Sequence, residues 1–225
     1  MKDFEKEKML AAQEAVKFIE SDMIVGLGTG STAFYAINEI GKLVKNGFKI
    51  KAVATSNESA ALAASLNIDV IDINAVDSID ITIDGADEFT SEFLMIKGGG
   101  GALFREKVVA AMTKKEIIIA DSSKKVAVLG KFKVPVEVVP FAYQYVLRQL
   151  AVINGKGTVR MKNDTQYLTD QGNFIIDADF GLISDPKALA AKLNEIEGVA
   201  AHGLFIGLTH TIIMGERDTT IIFKK

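Results

Sequence analysis

The sequence predicts an α/β protein in two lobes, a larger one built on a parallel sheet and a smaller α+β one. Three observations carry that reading. Short apolar strands alternate with helical segments through the first 130 residues, the pattern of a parallel sheet with crossover helices. Beyond Gly130 the order becomes β-α-β-β-α-β, that of a split ferredoxin-like unit. The stretches richest in glycine, hydroxyl and charged residues converge on the carboxyl ends of the strands, where open α/β sheets bind ligands.

The elements follow in order. Met9, Ala12, Val16 and Ile19 mark one face of a helix over residues 3–20, a spacing near 3.6 residues per turn. Met23 to Leu27 is a short buried strand, Gly28-Thr29-Gly30 a turn, and Ser31-Thr32 the cap of a helix showing Phe34, Ile37, Ile40 and Val44 on one face. Strands at 50–55, 70–73, 80–84 and 116–120 and helices at 56–66 and 102–113 complete a doubly wound, Rossmann-like domain. Past Gly130 come a strand at 134–139, a helix at 141–153, strands at 157–162 and 173–179, a helix at 185–196 and a strand at 199–205. Two last strands, 210–215 and 219–223, return to the first domain, giving a division into 1–130 with 206–225 and a smaller lid or oligomerisation domain at 131–205.

Composition narrows the function. Of 225 residues, 48% are hydrophobic and 24% charged, and the net charge is −3, so neither nucleic acid nor an anionic membrane is a general electrostatic partner. The absence of cysteine removes disulfides, thiolate nucleophiles and zinc–thiolate sites. His202 and His210 are the only histidines, too few for a histidine-rich metal centre. No apolar run approaches the roughly 20 residues of a membrane span, and the first 20 residues lack a signal-peptide core. A soluble cytoplasmic protein is expected.

Four stretches carry chemistry. The first, Gly26-Leu27-Gly28-Thr29-Gly30-Ser31-Thr32, joins a strand to a helix; its glycines let the backbone approach a ligand, and the helix start offers free N–H groups to an anion. It has Ser31 where a dinucleotide fingerprint needs a third glycine, and Gly-Ser where a Walker loop needs Gly-Lys. A phosphate monoester suits Thr29, Gly30, Ser31 and Thr32 better than either. The second, Asp84-Gly85-Ala86-Asp87-Glu88, gathers three carboxylates whose repulsion needs compensation; Gly85 and Ala86 leave room for a substrate against the main chain. A solvated acidic turn or a magnesium loop would also fit this local sequence.

The third, Lys97-Gly98-Gly99-Gly100-Gly101, leads into a helix that carries Glu106. Four glycines are entropically costly to order, and their N–H groups can form a nest for an oxyanion beside the Lys97 charge. The fourth, Asp121-Ser122-Ser123-Lys124, follows another strand, and Lys124 reads equally as a phosphate ligand or as surface charge. A phosphate cradle, an acidic turn, a lysine beside backbone donors and a helix-borne glutamate suit proton abstraction next to a carbonyl. An aldose–ketose isomerisation of a sugar phosphate, without redox cofactor or metal, is the simplest reaction that uses them all.

The same residues resemble a known family. Gly-Thr-Gly-Ser-Thr at 28–32, Asp-Gly-Ala-Asp-Glu at 84–88, Lys-Gly-Gly-Gly-Gly-Ala-Leu at 97–103 and Arg-Glu-Lys at 105–107 are similar to type A ribose-5-phosphate isomerases. Ala-Asp-Ser-Ser-Lys at 120–124, Pro-Val-Glu-Val-Val-Pro at 135–140 and Gly-Asn-Phe-Ile-Ile-Asp at 172–177 extend the resemblance across nearly the whole chain. Gly101 stands where some members have alanine. The resemblance implies interconversion of D-ribose 5-phosphate and D-ribulose 5-phosphate in the non-oxidative pentose phosphate pathway, with no cofactor and no metal. It implies Glu106 as the base, Asp84 in ring opening, Lys97 with Gly98, Gly99 and Gly100 around the charged O1 and O2 region, and Asp87 on sugar hydroxyls. Thr29, Gly30, Ser31, Thr32 and Lys124 would take the substrate backbone and phosphate, and a homodimer or homotetramer is implied. The alternatives are a sugar-phosphate deaminase, which would show a histidine near the acidic loop, a coenzyme A transferase using Glu106 covalently, and a sugar-phosphate sensor domain, which would need a fused DNA-binding segment.

Overall fold

The computed structural model describes residues 3–225. In chain order the elements are α1 (Phe4–Val16), β1 (Ile24–Leu27), α2 (Ser31–Lys45), β2 (Lys51–Ala54), α3 (Asn57–Ser65), β3 (Asp69–Val70), β4 (Ile79–Gly85), β5 (Glu88–Phe89), β6 (Leu94–Ile96), α4 (Leu103–Met112) and β7 (Thr113–Asp121). They continue with β8 (Val134–Val138), α5 (Tyr143–Val152), β9 (Lys156–Val159), β10 (Met161–Lys162), β11 (Thr165–Gln166), β12 (Phe174–Asp179), α6 (Pro186–Asn194), β13 (Val199–His202), β14 (Leu204–Ile206), β15 (Thr211–Glu216) and β16 (Thr219–Lys224). They fall into two units, the larger holding the described residues up to Ala86 with Arg105–Lys125 and Leu208–Lys225, the smaller holding Asp87–Phe104 and Val126–Gly207.

The larger unit is a seven-stranded sheet in the order β16-β15-β7-β4-β1-β2-β3. Every pairing is parallel except β15 with β16. Its central strands read as near-continuous apolar runs because both faces are covered: Ile81, Ile83, Ile117, Ile118, Ile119, Ile212 and Ile213 are all buried. Ala11, Ala12 and Ala15 of α1 and Ile37 and Ile40 of α2 share one core with these strands, and each fully buried isoleucine contributes about 1.5–3 kcal/mol. Asp3 starts α1 by accepting from Lys6 N at 3.1 Å, and Ser56 starts α3 by accepting from Ser59 N at 3.1 Å. The strand order reverses between β1 and β4, so the loops leaving their carboxyl ends are neighbours, the arrangement in which such sheets hold ligands.

The smaller unit centres on a four-stranded antiparallel sheet, β13-β8-β12-β9. Numbered along the β-α-β-β-α-β segment, that order is 4-1-3-2, as a ferredoxin-like unit requires. Val134, Val136, Val138, Ile176, Val146, Leu150 and Leu193 form its core. A three-stranded antiparallel sheet, β14-β6-β5, belongs to the same unit.

Several elements differ from the sequence expectation. The first helix ends at Val16 rather than near residue 20, and the strand after residue 69 stops at Val70, where Asp72 caps a 3-10 turn at Ile73–Ala75. The single strand expected at 157–162 is β9 followed by the β10–β11 hairpin. The strand expected at 199–205 is two strands in two sheets. It breaks at Gly203, whose N–H donates to Pro135 O at 2.7 Å and whose carbonyl accepts from Lys97 N at 2.9 Å. A Cβ there would lie 2.5 Å from Lys97 O, so only glycine allows the crossing. Strands β5 and β6, two and three residues long, are too short to give a periodic signal; through them residues 87–104, read in the sequence as part of the Rossmann-like lobe, group with the smaller unit. Among the described residues no helix is long and apolar enough to cross a membrane.

Candidate active site

In the larger unit the end of β1 and the end of β4 are laced together. Gly28 N continues the ladder by donating to Ile83 O at 3.0 Å. The next side chain on β4, Asp84, is 1% exposed, and its Oδ1 accepts from Thr29 N at 3.1 Å and from Gly85 N at 2.7 Å. The approach demands glycine at 28, where a Cβ would stand 2.1 Å from Asp84 Oδ1 and 2.5 Å from its Cα. From the other side, Ser59 Oγ donates to Gly28 O at 2.7 Å, Thr55 Oγ1 donates to Leu27 O at 2.9 Å, and the Thr29 and Thr55 hydroxyls pair at 2.7 Å.

Helix α2 begins immediately after this turn with Gly30 as its cap, and no side chain caps it. The first-turn N–H groups of a 15-residue helix, with the Ser31 and Thr32 hydroxyls beside them, have the donor chemistry that suits an anion. The sequence reading missed one cation at this end: Lys8 Nζ donates to Ser31 Oγ at 3.1 Å and pairs with Glu5 at 2.7 Å. Lys8 carries no sequence signal because it lies 23 residues away on α1, inside a run of ordinary helical charges.

Glu106 lies in the first turn of α4 and is 4% exposed, so an ionised carboxylate there gains from the helix dipole. Its neighbour Arg105 ties the helix to α3 by donating to Asn57 Oδ1 at 3.0 Å. Burial pushes the Lys107 ammonium down to about 8. Lys124 is half-buried in a 3-10 turn at the end of β7, held where Ser122 N donates to Glu7 Oε2 and Ser123 N to Asp121 Oδ1, each at 2.9 Å. β7 stands two strands from β1, about 10 Å at ~4.8 Å per strand, so a long stem separates the Lys124 backbone from any anion at Thr29–Thr32.

The remaining residues of the acidic turn and the glycine run lie in the smaller unit. Asp87 Oδ2 accepts from Gly99 N at 2.8 Å, and Glu88, 4% exposed, accepts from Gly130 N at 2.9 Å and Phe132 N at 2.7 Å. The three clustered carboxylates therefore each have backbone N–H partners of their own, which supplies the compensation their repulsion requires. Lys97 is 2% exposed, with Nζ 5.2 Å above the Phe205 ring. A lysine this deeply buried needs polar or π partners to stay charged. The turn at 98–101 closes through Gly101 N donating to Gly98 O at 3.0 Å, with Gly99 and Gly100 exposed. Two residues here were invisible to sequence reasoning: Arg160 donates to the carbonyls of Gly98 and Gly99, and Tyr167 to that of Gly100. His202 and His210 are structural, accepting backbone N–H bonds from Leu204 and Glu116. Among the described residues no group of three or more histidine, aspartate or glutamate side chains is placed to hold a metal ion.

Comparison with known proteins points the same way. Residues 51–219 match the family model for ribose 5-phosphate isomerase A (phosphoriboisomerase A). The chain is 47% identical over 218 residues to ribose-5-phosphate isomerase A of Sphingopyxis alaskensis, covering 97% of this chain and 96% of that one. A solved D-ribose-5-phosphate isomerase in complex with phospho-erythronic acid superposes with a TM-score of 0.96 at 39% identity over the full length of both chains. Ribose 5 phosphate isomerase A from Neisseria gonorrhoeae gives 0.93 at 38% identity, over 100% of this chain and 98% of that one.

Proposed function

The chain belongs to the ribose 5-phosphate isomerase A family, and from that premise we propose how its residues interconvert D-ribose 5-phosphate and D-ribulose 5-phosphate. The reaction moves one proton from C2 to C1 and another between the two oxygens, so the sugar is neither oxidised nor reduced overall. Asp84 exchanges a proton with the ring oxygen or the anomeric hydroxyl and opens the furanose. Glu106 takes the C2 proton of the open aldehyde, and the electron pair moves through C1 onto the carbonyl oxygen to give an enediolate. Lys97 and the N–H groups of the glycine turn stabilise that oxyanion. Glu106 then returns its proton to C1 as the C2 oxygen becomes the ketone. Asp87 binds sugar hydroxyls, and the phosphate is taken by Thr29, Gly30, Ser31 and Thr32 with Lys124 and Lys8.

The observation that carries this reading is the coincidence of an uncapped helix end and a buried, doubly hydrogen-bonded aspartate at the reversal point of the parallel sheet. One relative's ligand supports it chemically. Phospho-erythronic acid is a four-carbon sugar acid phosphate, with a planar carboxylate where an enediolate would carry its charge. The cytoplasm as location and a homodimer or homotetramer in solution belong to the same proposal, the latter supported by the exposed Phe141, Val152 and Leu182 of the smaller unit.

The test is ribulose 5-phosphate formation from ribose 5-phosphate in deuterated buffer with chelator present. Turnover is expected, with deuterium at C1 of the ketose to the extent that the Glu106 proton exchanges with solvent before it is returned. Folded protein that converts the sugar only after metal is restored overturns the unaided enediolate route.

A further inference from the structure

Carbonyl and amide hydrogen point in opposite directions across a trans peptide unit, so whatever fixes the carbonyl also aims the N–H. Three successive carbonyls of the glycine turn are fixed in this way. Arg160 Nη1 donates to Gly98 O at 3.2 Å and to Gly99 O at 3.0 Å, and Tyr167 Oη donates to Gly100 O at 3.4 Å. The guanidinium is itself clamped. Nε donates to Asp177 Oδ2 at 2.9 Å while Nη2 donates to Oδ1, a two-point ion pair with the arginine side chain 15% exposed. Asp177 sits inside β12, in register with Thr158 of β9, and Arg160 follows β9 directly. Tyr167 closes the assembly, its N–H donating to Arg160 O at 2.9 Å and its ring lying 5.8 Å from Arg160 Cζ.

An ion pair that only stapled β9 to β12 would not need to reach the turn. A cationic donor on a carbonyl polarises the whole peptide unit and strengthens the N–H at its other end. The carbonyls of Gly98 and Gly99 share peptide units with the N–H groups of Gly99 and Gly100. The first of those already serves an anion, since Gly99 N–H donates to the Asp87 carboxylate at 2.8 Å.

We propose that Arg160, clamped by Asp177 and backed by Tyr167, is a positioning residue for the isomerisation, aiming and strengthening the Gly100 N–H as a donor to the enediolate oxyanion while the Gly99 N–H holds Asp87. This rests on the reading of the glycine turn as the oxyanion cradle. It predicts that Arg160 affects the intermediate, with its charged oxygen, more than the substrate, whose carbonyl end is uncharged, although it touches neither.

The experiment compares wild type with Arg160→Met, which keeps the apolar stem, and Arg160→Lys, which keeps the charge but loses the fork. For each, kcat and KM for ribose 5-phosphate are measured beside the inhibition constants of 4-phosphoerythronate and of erythritol 4-phosphate, which lacks the carboxylate. Arg160→Met is expected to lower kcat about 10-fold and weaken 4-phosphoerythronate by a similar factor, with KM and erythritol 4-phosphate affinity within about 3-fold. Arg160→Lys is expected to fall between. Unchanged 4-phosphoerythronate affinity in both variants, whatever happens to melting temperature, overturns the positioning role. Wild type that isomerises yet binds 4-phosphoerythronate no tighter than erythritol 4-phosphate overturns the oxyanion-cradle reading itself, a failure that can be told apart from that of Arg160.

Discussion

The turn after β1 and the glycine turn at 98–101 solve the same problem, holding backbone N–H groups ready for an anion, by opposite means. The first is held by its immediate surroundings in the sheet: adjacent parallel strands, the Asp84 carboxylate, and hydroxyls from Thr55 and Ser59 at the end of the next strand and the start of α3. No formal cation braces its backbone in these contacts. The glycine turn instead depends on Arg160 and Tyr167, 61 and 67 residues away from the carbonyls of Gly99 and Gly100 that they bond. A turn built into a parallel sheet inherits its rigidity from the ladder. A turn lying outside regular strands, where four glycines make order expensive, needs a charged clamp from elsewhere. Disturbing the first should therefore disturb folding, and disturbing the second should disturb chemistry.

The largest expected effect belongs to a residue that braces neither turn. Glu106→Gln keeps the shape and burial of the side chain but cannot accept the C2 proton. Turnover should fall at least ~10²-fold with little change in KM. Retained turnover in a folded variant would remove Glu106 from the role and leave the two turns as a binding site without its base. Next in size is Gly28→Ala, which strikes the ladder-held turn where the added carbon meets Asp84 at 2.1 Å. Overpacking of this kind costs about 2 kcal/mol or more, a fall of roughly 5 °C in Tm for a chain of this length. Thermal unfolding of the variant checks it, and a Tm equal to wild type would show that the β1–β4 junction yields more readily than the contrast supposes.

The same contrast explains what the sequence made legible. The β1 turn was readable because strand, glycines, hydroxyls and helix follow one another within about ten residues, and Asp84 ends an apolar strand of its own. The ferredoxin-like order was readable because its strands and helices are long enough to show a period. Lys8, Arg160 and Tyr167 were not. Each is an unremarkable residue in its own segment and becomes functional only through a partner 23 to 67 residues away. β5 and β6 were missed for a related reason: β6 is three residues long and defined by pairing with β14, more than a hundred residues later, and the two-residue β5 is defined only by pairing with β6. Glu88 read as one more member of an acidic site, whereas its carboxylate caps the backbone at Gly130 and Phe132.

The smallest expected effect tests the helix that carries the base. Lys107 follows Glu106 on α4, and burial lowers its pKa from 10.5 to about 8. A depressed lysine pKa means that the folded state binds fewer protons than the unfolded state between those values. Stability then rises with pH across that window, and the full burial penalty is felt below about pH 8. Lys107→Met removes the titrating group while keeping most of the buried stem. The variant should be more stable than wild type at pH 7, and the gap should narrow as pH rises toward 10. Urea midpoints of both proteins at pH 7 and pH 9.5 measure this directly, because the other titrating groups cancel in the difference. A gap that stays constant with pH would mean that the ammonium is solvated in the folded protein. The first turn of α4 would then be more open to water than the burial of Glu106 implies, and the base would work in a wetter site than the enediolate chemistry favours.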